Sequence, residues 1–145
     1  MKSIEFASIG VERRRYAVEE IRFSMAKLYR AFVLWSSHYG DGDEERERRD
    51  LVDELIELFT RCYLPRSMWL TGETRERIEG FAAKSRELRA QLSADVEERG
   101  YEKARKRMSR RVSRKLGPMR KQVDRALATE IAAPKPSRWR ARLGR

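Results

Sequence analysis

The chain has 145 residues, about one domain at the usual ~100–200 residues each. Charged residues make up 39% of it, against an average near ~25%, and the formal net charge is +11. Ala, Glu, Lys, Leu and Arg account for 77 residues, with only 4 Pro and 8 Gly, which points to long helices and excludes a turn-rich sandwich or barrel.

From Val18 the apolar positions run Val18, Ile21, Met25, Leu28, Phe32, Trp35 and Tyr39, alternating steps of 3 and 4. That is a heptad seam held for three repeats, and Tyr29 and Val33 widen it toward a second neighbour. The spacing predicts a helix from about Val11 to Gly40, where Gly40-Asp41-Gly42-Asp43 breaks it. Asp43, Glu44 and Glu45 suit the first turn of a second helix, because the helix dipole favours negative charge there. This helix carries two apolar rows, Leu51, Leu55, Leu58 and Cys62 beside Val52, Ile56, Phe59 and Tyr63, and both are expected to be buried. Pro65 should end it, since proline lacks the N–H and disfavours helix at Leu64.

Thr71-Gly72-Glu73 reads as a fresh start, with a capping hydroxyl and an acidic first turn. The third helix shows Ile78, Phe81, Ser85, Leu88, Leu92 and Val96, with Gly100 loosening but not stopping it. Tyr101, Ala104, Met108, Val112, Leu116, Met119, Val123, Leu127 and Ile131 follow, all 3 or 4 apart, and the phase is kept across Gly117-Pro118. One helix kinked at Pro118 is therefore expected rather than two. Residues 133–145, with two prolines and no period, read as a disordered basic tail.

Charge divides the chain at about residue 98. Residues 1–98 hold 17 Lys and Arg against 20 Asp and Glu, whereas residues 99–145 hold 17 against 3. Leu, Ile, Val and Phe fall from 24 of the first 98 residues to 6 of the last 47, too few for the second part to offset its ordering entropy alone. The expected fold is all-α. An elongated antiparallel helical hairpin or three-helix bundle occupies 1–98, and a kinked basic amphipathic helix spans 99–132. That helix either docks on the first part or orders on a polyanion.

Its basic stretch supplies the candidate site: Lys103, Arg105, Lys106, Arg107, Arg110, Arg111, Arg114 and Lys115, within residues 103–121. Guanidinium groups pair with phosphates bidentately and stay charged, so nucleic-acid backbone or an anionic membrane surface is the candidate partner. The competing reading is a solvated face that complements acids such as Glu87, Asp95, Glu97 and Glu98. No helix-turn-helix, zinc-finger or RNP pattern is present, so binding would be directed at the backbone.

Other chemistry is thin. His38 is the only histidine and has no ligand companions, and Cys62 on an apolar face reads as an inert thiol. With one cysteine, neither an intrachain disulfide nor a cysteine-built metal site can form. The Arg110-Arg111-Val112-Ser113 run matches a basic kinase preference, a pattern common by chance in Arg-rich segments. The aromatics Tyr29, Phe32, Trp35, Tyr39, Phe59, Tyr63 and Trp69 sit at helical spacing and are read as core. No phosphate-cradling glycine loop, metal set or nucleophile elbow appears, so no enzyme, cofactor or small-molecule substrate is expected. No apolar run reaches the ~18 residues of a membrane span and MKSIEFASIG lacks a secretory apolar core, so a cytoplasmic setting, at most peripheral to a membrane surface, is expected.

The run LFTRCYLPRSMWLTGETRERIEGF resembles the helix–YLP–helix corner of short bacterial helical-hairpin proteins, over roughly Val18 to Val96. Some of those carry an upstream membrane anchor, and no apolar span precedes Val11 here. The resemblance implies a helical-hairpin interaction protein and carries no activity or residue roles. Two functions follow as expectations: an interaction protein with a polyanion-binding basic arm, or an adaptor coiled coil. In the second, the long seams join a second copy or a partner helix, burying Tyr29, Val33, Val52 and Ile56.

Overall fold

The computed structural model describes residues 2–37 and 42–132, and these are all-α. Helix α1 spans Lys2–Ser37, α2 Gly42–Arg66, α3 Gly72–Arg99, α4 Tyr101–Arg111 and α5 Gly117–Ile131. A 3₁₀ turn, Ser67–Trp69, joins α2 to α3, and a π turn, Val112–Leu116, joins α4 to α5. His38, Tyr39, Gly40 and Asp41 lie outside the described residues, as does the expected tail 133–145 with Trp139.

The helices alternate in direction. Arg66 stacks on Tyr16 across α2 and α1, and the Arg89 guanidinium holds both oxygens of Asp53 across α3 and α2, at 2.5 and 2.9 Å. Glu130 meets Thr71, and Arg111 meets Asp95, at opposite ends of α3. Arg22 pairs with Asp124 and Arg105 reaches the end of α1. Four antiparallel rods result, with α4, the π turn and α5 together forming the fourth. Of the two alternatives for the basic segment, docking on the first part is the one seen, so it packs as a fourth rod rather than extending from the other three.

The physical reason is the apolar row. Ala104, Met108, Val112, Leu116, Val123 and Leu127 are all buried, in one cluster with Val18, Ile21, Met25, Leu28, Phe32 and Trp35 of α1. Ile78, Phe81, Leu88 and Leu92 of α3 and Val52, Phe59 and Tyr63 of α2 complete it. Phe59 and Phe81 meet edge to face at 5.7 Å, a geometry that aromatic quadrupoles favour. Each large side chain removed from water contributes roughly 1.5–3 kcal/mol, so the five residues of this row larger than Ala104 matter to a chain this charged. The packing runs without interruption past residue 98. On α2 only the Val52, Phe59 and Tyr63 side is buried, while Leu51 and Leu58 face solvent because no helix lies beyond them. Of the four candidates for burial by a second copy, Val52 lies fully within its own core, Tyr29 and Ile56 are half-buried against it, and Val33 is exposed.

Local signals end the helices. Thr71 caps α3 by accepting from the Thr74 N–H, as the sequence predicts. Helix α2 runs only one residue past Pro65, which cannot donate to the carbonyl four residues back and so favours a stop there. There the Arg66 side chain donates to the Cys62 carbonyl and the Ser67 hydroxyl to that of Leu64.

Gly100 reverses the chain on its own. Its φ of 85° and ψ of 158° lie in a region essentially reserved for glycine, so the helical phase through it does not carry a straight helix. Its N–H donates to Val96 O and its carbonyl accepts from Ala104 N, so it closes α3 and opens α4. At Pro118 the expected phase continuity is present. The Gly117 N–H reaches back to the Val112 carbonyl, widening the preceding turn where a proline ring crowds an α-helical carbonyl. Gly117 is also a close approach: a Cβ there would sit 3.1 Å from the Tyr29 Oη.

The far end of the bundle is tied by one carboxylate. Glu130 Oε1 accepts from the Thr71 N–H at 2.9 Å and hydroxyl at 2.6 Å, and from the Thr74 hydroxyl at 2.7 Å. Burial pushes its pKa up, but the Thr71 and Thr74 hydroxyls, the Thr71 N–H and nearby Arg14 outweigh this and hold it below the ordinary value.

Gly100→Ala should destabilise the protein by about 1–3 kcal/mol in denaturant unfolding, because a Cβ strains that backbone conformation. Because the folded Glu130 carboxyl is the stronger acid, its stabilisation is present above the ordinary carboxylate pKa and is lost as pH falls through the lowered one. Glu130→Gln should therefore flatten the acid limb of a stability-versus-pH curve; an unchanged limb would mean that the tie carries no weight.

Candidate polyanion-binding face

The fourth rod presents one side to the core and two flanks to α1 and α3, which sorts its cations into two classes. On the α1 flank Arg105 donates to the Ser36 carbonyl at 3.3 Å and to that of Ser37 at 3.4 Å. A cation beside the last carbonyls of α1 is favoured by the helix dipole. On the α3 flank Arg111 donates to Asp95 Oδ2 at 2.9 Å, and Arg107 lies 3.9 Å from the same oxygen. Asp95 is only 9% exposed, so this pairing is largely shielded from solvent. Three of the eight candidate cations thus hold the bundle together, in line with the complementary-face reading at Asp95.

The other five, Lys103, Lys106, Arg110, Arg114 and Lys115, are exposed. Lys115 lies near Glu87, whose carboxyl is held below its ordinary value first by the Lys84 hydrogen bond and charge, then more weakly by Lys115. Lys103, Lys106, Arg110 and Arg114 have no acidic partner within 4 Å among the described residues. Their steps of 3, 4 and 4 place them in one outward row. Lys121 and Arg125 extend the exposed side into α5, so cations cover about 33 Å of rod at ~1.5 Å per residue. Arg125 was not among the candidates, although its spacing from Lys121 is the same four residues.

Ser113 is exposed on this rod, between Arg110 and Arg114 in sequence. Cys62 is half-buried, and its thiol pKa is raised by burial, with Arg66 opposing and Glu20 adding to the shift. Of the aromatics read as core, Phe32, Trp35, Phe59 and Tyr63 are buried, while Tyr29 and Trp69 are half-buried. Tyr29 carries the Arg120 guanidinium over its ring at 4.8 Å. Two aromatics that sequence reading passed over, Tyr16 and Phe23, are 56% and 61% exposed on α1. Their seven-residue spacing was visible, but it lay off the main seam. No group of three His, Cys, Asp or Glu side chains among the described residues is arranged to hold a metal ion.

Compared with protein families, with curated proteins and with solved structures, the chain matches none.

The two classes of cation should separate in unfolding experiments. Asp95→Asn leaves Arg107 and Arg111 without their shielded counter-charge and should cost about 1–3 kcal/mol. Lys106→Gln or Arg110→Gln should stay within about 0.5 kcal/mol, as exposed side chains without partners do.

Proposed function

We propose that this chain is a non-enzymatic helical interaction protein whose fourth rod binds a polyanion, with the phosphate backbone of a nucleic acid as the preferred partner. The observation that carries this reading is the outward row Lys103, Lys106, Arg110 and Arg114, exposed and without acidic partners among the described residues. Arg105, Arg107 and Arg111, three residues of the same stretch, are occupied within the bundle and drop out of the binding set.

Burial of the apolar row favours nucleic acid over a membrane surface. A basic helix that inserts at a membrane surface lays its apolar face among the acyl chains. Here that face, Ala104, Met108, Val112 and Leu116, is already in the core. Phosphate contact needs only the outward cations. No described helix is long and apolar enough to cross a membrane, and a cytoplasmic setting accompanies the nucleic-acid reading.

A second reading, self-association as an adaptor, is favoured by a different observation. Tyr16 and Phe23 on α1 and Leu51 and Leu58 on α2 leave large apolar side chains in solvent.

Four to six phosphate contacts give a salt slope of about −4 to −5 for duplex DNA in log–log form. Fluorescence anisotropy with duplex and single-stranded oligonucleotides across salt concentration measures it. Lys106→Gln with Arg110→Gln should reduce the slope by about 2. No binding at low salt, or a slope indifferent to these substitutions, would overturn the reading. A salt-insensitive, concentration-dependent dimer in light scattering would favour the second.

A further inference from the structure

At the end of the bundle away from Gly100, α1, the first turns of α3 and the last turns of α5 surround an open cleft of about 1140 Å³. That is ample for a small molecule, since ligand pockets run roughly 300–1,000 Å³. Arg14 and Arg15 of α1, Arg77 of α3 and Arg125 of α5 line it together. Two carboxylates share the space, and both are engaged: Glu73 with Arg77 at 3.3 Å, and Glu130 with Thr71 and Thr74. Arg14 donates to the Trp69 carbonyl at 3.1 Å. The guanidinium groups of Arg15 and Arg125 make no hydrogen bond or ion pair among the described residues, and they come from different helices.

We propose that this cleft binds a small phosphate monoester carrying an apolar body. The four guanidiniums outnumber the two carboxylates, so the cleft retains a positive excess that favours an anion. Two unpaired guanidiniums on separate helices suit a dianion, because each planar fork can take two phosphate oxygens. Val11, Ala126 and Ile131 line the same cleft and offer apolar surface to the rest of the ligand. The Thr71, Thr74 and Glu130 network fixes the junction of α3 and α5, so the arginines are presented by helices already tied together. The site is separate from the outward row of the fourth rod, apart from Arg125 at its end, and stands whether or not that row binds nucleic acid.

Phenyl phosphate is the probe, titrated calorimetrically into the full chain at low salt. Saturable 1:1 binding in the millimolar range or tighter is expected. Arg15→Gln and Arg125→Gln should each weaken it about tenfold, the loss of one charge-assisted pair. Lys106→Gln with Arg110→Gln should leave it unchanged, which distinguishes this site from the polyanion face. Circular dichroism melts establish that each variant is folded. Absence of saturation by about 10 mM overturns the proposal, as does undiminished binding in a folded Arg15→Gln/Arg125→Gln variant.

Discussion

Burial of one apolar row on a strongly cationic segment is the constraint on which the rest depends. The first three helices leave an open side between α1 and α3. Ala104, Met108, Val112, Leu116, Val123 and Leu127 close it. The same burial orients everything else on the rod. Once the apolar row points inward, Arg105 must flank α1, Arg107 and Arg111 must flank α3, and Lys103, Lys106, Arg110 and Arg114 must point outward. A helix has only one circumference, so choosing its buried line chooses its exposed line.

Keeping that rod in register requires special backbone at two places. Gly100 folds α4 back onto α3 in a single residue, through a conformation that a side chain resists. The π turn before Gly117 accommodates Pro118 while Leu116 and Val123 both stay buried. Glu130 then anchors the far end against the capping turn of α3. Side-chain chemistry thus reinforces the hairpin at the end that lacks a covalent reversal.

The division of the arginines bears on the proposed binding as well as on packing. Composition assigns all eight candidate cations equal standing, yet a guanidinium shared with a shielded Asp95 is not available to a phosphate without breaking that pair. The exposed cationic row is narrower in charge and longer in reach than the stretch from Lys103 to Lys115, because Lys121 and Arg125 continue its exposed side. At its end the fourth rod contributes Arg125 to a cleft shared with two other helices, a grouping of residues that are distant in sequence.

Much of this was legible in the residues alone. Local backbone chemistry and short-range periodicity determined that the chain is helical, that Val18 to Trp35 form a buried seam, that Thr71 caps a helix and that the basic segment is amphipathic, since each depends on neighbours within about one or two turns. What only the tertiary structure decided is which rows meet. A 3-to-4 spacing looks the same whether a helix continues or doubles back, so Gly100 concealed the reversal that makes the basic segment a wall of the bundle. Likewise the two apolar rows of α2 are alike in sequence, and only the position of neighbouring helices buries Val52 and Phe59 while leaving Leu51 and Leu58 in water. The pairing of Asp95 with Arg111, and the placing of Arg15 and Arg125 around one cleft, arise from packing between helices, which no sequence spacing specifies.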